Sequence, residues 1–283
     1  CLCQPGDEVL LPDPAWAGYD AMLATAGARK VYYPLRPGDG WQPDLDALKA
    51  AITPRSRVLL LNSPSNPGGS VFPRETIARL VEIARRHDLW VLSDECYDEF
   101  VYEGEHASPA LFDTDGRVLT VGTCSKAYAM TGWRIGWVAA PPALTPSLAL
   151  AATAQLNNLP LFVQRAAQAA LAGPQDCVRE MATAYRSRRD LAVELLRTHG
   201  MLEYVPHGAF YLLLRIAPDT ASCDSVAFAE ALIRERAIAV SPGAAFGPAT
   251  SAYVRVSLAS DAAALRAGIE GLLAFAESFR AVG

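Results

Sequence analysis

The sequence predicts an α/β fold: a major domain over residues 1–172, built on a mostly parallel sheet with helices on its faces, and a smaller α+β domain over residues 173–283. Three observations predict it. Short apolar runs alternate with segments of helical periodicity, the rhythm of βαβ units. Those runs end in polar clusters, and ligands in such sheets sit at the carboxyl ends of strands. From about residue 173 the alternation gives way to one long charged helical stretch and then to mixed strand and helix patterns.

Taken in order, "CLCQPGDEVLLPDPAW" reads as the end of a helix, a Pro-Gly turn and a buried strand at 8–11. A domain that opens on the last turn of a helix, without Met, leads us to expect a natural protein with a further N-terminal part. The run at 58–61 is a buried parallel strand ending in a Pro/Gly/Asn loop. Ile77, Leu80, Val81 and Ala84 repeat at i, i+3, i+4, i+7, with Pro73 and Glu75 suited to the first turn of a helix. Further strands are expected at 89–93, 117–122 and 134–140. In the second domain we expect a helix at 175–199, a strand at 210–216, a helix at 224–236 and a strand at 238–241. "PGAAFG", the strand "AYVRVSLA" and a closing helix with Leu265, Ile269, Leu272 and Leu273 on one face complete the chain.

Composition bounds the function. The 283 residues are 51% apolar and 19% charged, ordinary for a globular enzyme and too apolar for disorder. A net charge of −5 argues against a nucleic-acid binder. The basic runs Arg85-Arg86 and Arg186-Ser187-Arg188-Arg189 read as solvated faces. The six cysteines, Cys1, Cys3, Cys96, Cys124, Cys177 and Cys223, are scattered and read as reduced thiols of a cytoplasmic protein. No apolar run approaches the ~18 residues of a membrane span, and no signal peptide is visible. His87, His106, His199 and His207 show no spacing for a metal site or a triad, and read as surface or loop residues.

Three polar clusters sit at three strand exits: "NSPSNPGG" after 58–61, "DECYDEF" after 89–93 and "TCSKAYAMTGWRIGW", residues 123–137, after the strand at 117–122. The last puts Lys126 and Arg134 into a segment that otherwise reads as interior. Asp94 ends a strand whose interior is Trp90, Val91 and Leu92, where an unpaired carboxylate is costly. Arg255 lies between Val254 and Val256 inside a strand and needs an anion.

These motifs, with "PHGAFYLLL", "SPGAAFG" and "VRVSLA", occur in the order and approximate spacing of class I aminotransferases. The chain resembles these pyridoxal-phosphate (PLP) enzymes of the aspartate aminotransferase fold along essentially its whole length. The resemblance implies a three-layer α/β/α PLP-transferase domain, cytoplasmic location and a homodimer. The family's N-terminal arm and first Gly/Ser-rich phosphate loop have no counterpart here.

The resemblance also implies roles. Lys126 would hold the cofactor as a Schiff base and, once displaced, move the substrate's α-proton. Arg134 would pair with the phosphate through its planar fork; a structural ion pair is the alternative. Thr123, where the family more often has Ser, and Ser125 would add hydroxyls to the same anion; ordinary turn hydrogen bonding is their alternative. Asp94 would keep the pyridine nitrogen protonated, against a helix N-cap. Tyr97 and Asn66 would bond the phenolic oxygen, against a core aromatic and a plain turn residue. Trp16 would stack on the ring, against a core role, while Tyr19 reads as core. Arg255 would bind the substrate α-carboxylate bidentately, against a structural salt bridge. Glu95 and Asp98 read as solvated carboxylates. Asn66-Pro67 is expected to be cis, and Asp13-Pro14 also.

The function expected is transfer of an amino group between an L-amino acid and a 2-oxo acid by a ping-pong route. Three rivals stand beside it: a related PLP lyase or decarboxylase, the aminotransferase-like sensor domain of a transcription regulator, and an inactive folded fragment.

Overall fold

The computed structural model describes residues 1–216 and 224–282. The predicted alternation becomes β1 (Glu8–Asp13), α1 (Gly18–Ala26), β2 (Arg29–Arg36), β3 (Gln42–Pro43), α2 (Leu45–Ala51), β4 (Ser56–Asn62), α3 (Arg74–Arg86), β5 (Trp90–Asp94), β6 (Val118–Thr123) and β7 (Gly136–Ala139). Then follow α4 (Thr145–Leu156), α5 (Leu161–Ala172), α6 (Asp176–Leu196), β8 (Tyr211–Arg215), α7 (Ser225–Arg236), β9 (Ser241–Pro242), β10 (Tyr253–Ser257) and α8 (Ala262–Val282).

The first seven strands form one sheet in the order β3-β2-β1-β4-β5-β6-β7. The pairs from β2 across to β6 are parallel, and only the outermost strands β3 and β7 run antiparallel. The pleat sorts apolar residues to two faces. Leu10, Leu59 and Leu61 pack on one side with Leu48 of α2 and Ile77 and Leu80 of α3. Val9, Leu11, Val58 and Leu60 pack on the other with Tyr19 and, at its edge, Leu23 of α1. That is the predicted α/β/α layering. Strands β8, β10 and β9 form a second, antiparallel sheet. It packs with α6, α7 and α8 around Leu212, Leu214, Phe228, Val254 and Ile269, and this core takes in Tyr97 and Phe100 from beyond β5. Among the described residues no helix is long and apolar enough to cross a membrane.

Several expectations need correction. Residues 1–4 adopt no helix. The strand expected at 238–241 shrinks to Ser241–Pro242, because α7 ends on Ala237 in the left-handed region and only residues 241 and 242 reach β10. β7 starts at Gly136 because Arg134 takes a left-handed conformation. Arg189 does not lie on a solvated face. It is buried, donating to Glu103 at 3.2 Å, Asp190 at 2.7 Å and the Pro206 carbonyl at 2.9 Å. Cys1, Cys3, Cys96, Cys124 and Cys177 are free thiols; Cys223 lies outside the described residues. The bonds before Pro14 and Pro67 are cis as expected, and Ser63-Pro64 is cis as well.

Candidate active site

β4, β5 and β6 are adjacent and in register, with Asn62 opposite Asp94 and Asp94 opposite Val121. Three strand ends therefore open side by side, and they wall one cavity of about 520 Å³. Trp16, Asn66, Asp94, Tyr97, Thr123, Ser125, Lys126, Arg134 and Arg255 all line it, so the fold gathers every residue to which the resemblance gave a cofactor or substrate role. Trp16 comes from the turn after β1. Gly18 makes room for it, since a Cβ there would lie 2.5 Å from the indole. The loop after β4 closes down because Gly69 sits at φ +68°, and a side chain on it would meet Pro206 and the Gly208 carbonyl.

Asp94 is fixed by its neighbours. Tyr19 donates its hydroxyl to Oδ2 at 2.5 Å, and the Cys96 amide donates to Oδ1 at 3.2 Å. No helix begins there, so Asp94 closes a turn instead of capping a helix. Asn62 staples two strand ends: its Nδ2 donates to the Asp94 carbonyl at 3.0 Å, and its Oδ1 accepts the Asn66 amide at 2.8 Å. Burial, and then the Asp94 carboxylate, push the Tyr19 phenol well above its ordinary range. Tyr19 thus belongs to the core and to the site.

Asn66 and Tyr97 sit together, Nδ2 to hydroxyl at 3.4 Å, and Tyr97 meets the Tyr211 hydroxyl at 3.1 Å. Burial pushes the Tyr97 phenol up strongly. Arg255 donates to Asn66 Oδ1 at 2.8 Å and to Ser241 Oγ at 3.1 Å. Its guanidinium lies 4.3 Å from the Tyr211 ring centroid and 4.7 Å from that of Phe246. Its Nε is buried without a partner among the described residues. The side-chain partners of Arg255 are thus neutral, and burial pulls its pKa down. A half-buried guanidinium with an unspent donor, lining a cavity, is a receptor for an anion.

Thr123 and Ser125 make the local bonds named as their alternative: the Ser125 amide donates to Thr123 Oγ1 at 3.1 Å, and the two hydroxyls lie 3.0 Å apart. Both also face the cavity. The 123–137 segment is not interior throughout. Lys126 is half-buried and Arg134 is exposed. β7 is a sheet edge: Trp137 within it and Trp133 just before it stay 40% and 44% exposed. Arg134 stands at φ +52°, a conformation costing a non-glycine residue about 1 kcal/mol, with Nη1 donating to the Thr131 carbonyl at 2.8 Å.

Two carboxylates differ from expectation. Glu95 is buried and accepts from Ser93, Ser108 and His106. Asp98 is half-buried, and burial first, with Glu99 second, pushes its pKa to about 6. Asn62, Tyr211, Ser241 and Phe246 were given no role from the sequence, and Tyr19 was read as core alone. Asn62 alone carried a usable signal, a polar residue ending the run "VLLLN".

The donor set fits pyridoxal phosphate. One amine, one carboxylate, one phenol–amide pair and one guanidinium with two hydroxyls match an aldehyde, a pyridine nitrogen, a phenolic oxygen and a phosphate. The orphaned Nε of Arg255 leaves a second cationic position for a carboxylate.

Comparison with known proteins identifies the family. The profile of the family "Aminotransferase class I and II" matches residues 1–272. The arginine–pyruvate transaminase of Pseudomonas aeruginosa is 41% identical over 268 residues, 94% of this chain and 68% of that protein. The aspartate/prephenate aminotransferase of Thermus thermophilus is 39% identical over 273 residues, 95% of this chain and 69% of that protein. Among solved structures, Thermus thermophilus aspartate aminotransferase with maleate superposes with a TM-score of 0.88 at 39% identity, covering 97% of this chain and 71% of that one. The aromatic aminotransferase of Pyrococcus horikoshii gives 0.92 at 35% identity, covering 98% and 75%. The chain belongs to the class I and II aminotransferases, a PLP-dependent family of amino-group transferases.

Proposed function

We propose that this chain transfers an amino group between an L-amino acid and a 2-oxo acid in two alternating half-reactions, with PLP attached through Lys126. The observation that carries this reading is the shared cavity: Lys126 from the turn after β6, Asp94 from the end of β5 and Arg255 from β10 face one space. When bound, PLP supplies the electron sink that stabilises the charge left at the substrate's α-carbon. The protein does the rest. Asp94 holds a proton on the pyridine nitrogen, itself held by Tyr19 and the Cys96 amide. Asn66 and Tyr97 would bond the phenolic oxygen, and Trp16 would pack against the ring. Arg134, Thr123 and Ser125 take the phosphate. Arg255 binds the α-carboxylate and so presents the α-proton to Lys126 Nζ, which carries it across. We assign cofactor binding to residues 1–172, and Arg255 to a substrate-binding strand of residues 173–283. We also read the active form as a cytoplasmic homodimer.

The test is direct. The protein supplied with PLP should absorb in the visible, and borohydride should fix the label to the peptide containing Lys126. Label on another peptide refutes the assignment. Turnover that needs a 2-oxo acid acceptor separates transfer from elimination or decarboxylation, which would release ammonia or carbon dioxide without one. Asp94→Ala should keep some cofactor and lose most turnover; near-normal turnover would refute its role.

A further inference from the structure

We propose that Glu95 and His106 form a positioning couple that sets the angle of the turn carrying Asp94 and Tyr97. The proposal rests on the reading that Asp94 and Tyr97 hold the cofactor.

The turn faces two ways. Asp94, Cys96 and Tyr97 line the cavity, whereas Glu95, between them, does not. Its side chain enters a buried polar pocket on the other side. Ser93 Oγ donates to Glu95 Oε1 at 2.8 Å, Ser108 Oγ donates to the same oxygen at 2.7 Å, and His106 Nε2 lies 3.0 Å from Oε2. The Glu95 amide donates to the Val121 carbonyl at 3.0 Å, extending the β5–β6 ladder by one bond. The carboxylate is thus gripped from its own strand by Ser93, and from a segment eleven to thirteen residues further on by His106 and Ser108.

A carboxylate that is only 6% exposed is expensive to place unless it fixes something. Here each donor restrains a different direction. Ser93 holds the strand end. Ser108 also accepts the Ala110 amide at 3.3 Å, so it ties Glu95 to the helical turn Pro109–Phe112. His106 closes the remaining side, and its Nδ1 is buried without a partner among the described residues. The ring's proton therefore belongs on Nε2, aimed at Glu95. A turn restrained on one face presents the residues of its opposite face at a fixed angle. An active-site group that is loose by about 1 Å loses much of its effect.

The experiment titrates PLP into wild type, Glu95→Ala, Glu95→Gln and His106→Ala, following visible absorption and the circular dichroism induced in the bound cofactor. Glu95→Ala and His106→Ala should bind about ten-fold more weakly, the scale of one charge-assisted hydrogen bond, with a smaller induced signal per bound cofactor. Glu95→Gln keeps an acceptor for Ser93 and Ser108, and should recover part of both. A purely structural role would lower the thermal midpoint without touching the induced signal of the folded fraction. Wild-type affinity and induced signal in folded His106→Ala and Glu95→Gln overturn the proposal even if Glu95→Ala does not fold. A wild type that takes up no PLP overturns the cofactor reading and this inference with it.

Discussion

A single hydroxyl, that of Tyr19, joins the first helix to the carboxylate proposed to govern the cofactor ring. The bond spans 75 residues of chain, so no local pattern could announce it. Tyr19→Phe removes only that hydroxyl and leaves the aromatic packing. Turnover should fall about ten-fold, since a half-buried carboxylate loses one strong donor, while the thermal midpoint moves little; unchanged kcat would dismiss the pairing as incidental. Arg255 makes the opposite case. Its need for an anion was readable from "YVRVS", but its neighbours, the rings of Tyr211 and Phe246, were not. Arg255→Ala should weaken amino- and oxo-acid binding by about 100-fold or more, as expected when a buried charged pair loses one partner. The absorption of bound PLP should persist. Arg255→Lys keeps the charge without the planar fork and should recover only part of the affinity. Substrate titrations of the three proteins decide it.

At the scale of elements, caps and turns carry the testable content. Asp224 begins α7 by accepting the Val226 and Ala227 amides at 2.9 and 3.1 Å, and that start was legible because an acid precedes the apolar repeat. Asp224→Ala should cost about 1 kcal/mol, lowering the thermal midpoint by about 2–4 °C. The turn after β5 was legible only as "DECYDEF", because burial of its acids depends on the 106–108 segment folding back. Its two side acids shift in opposite directions. Burial raises Glu95, but the bonds from His106, Ser108 and Ser93 outweigh it and hold its pKa below the ordinary 4.5. Its stabilising effect is present above that pH and is lost as pH falls through the folded value. Asp98 is raised from 3.8 to about 6, so ionising it opposes folding as pH rises through that window. Asp98→Asn should therefore raise the thermal midpoint above pH 6, and the gain should vanish below about pH 4. A gain independent of pH would contradict this.

Across the whole molecule, the apolar surface is unevenly covered. Trp133 and Phe162 form an edge-on pair at 6.4 Å with 44% and 68% exposure, and Leu150, Leu156 and Leu161 are more than 60% exposed nearby in sequence. Where exposed apolar groups form one contiguous patch, they mark an association surface. The homodimer implied by the family resemblance should bury part of it. Sedimentation should show association rising with concentration, and Phe162→Glu, at an exposed helix start, should weaken it without loss of folding. A wild type that stays monomeric at high concentration would set the homodimer aside for this chain.

The sequence by itself determined the order of layers and the identity of the chemical groups. Period-2 and period-3.6 apolar patterns are local, and so are Lys126 after its strand, Asp94 at a strand end and Arg255 between two valines. The tertiary structure decided what those groups touch. Asn62 staples β4 to β5, Tyr19 reaches Asp94, Glu95 turns inward to His106, and Arg189 is drawn out of a basic run into a buried network. Each of these depends on two segments, from 11 to 75 residues apart, meeting within hydrogen-bond distance. That encounter is set by the packing of sheets and helices, and no local pattern in the chain names the partner.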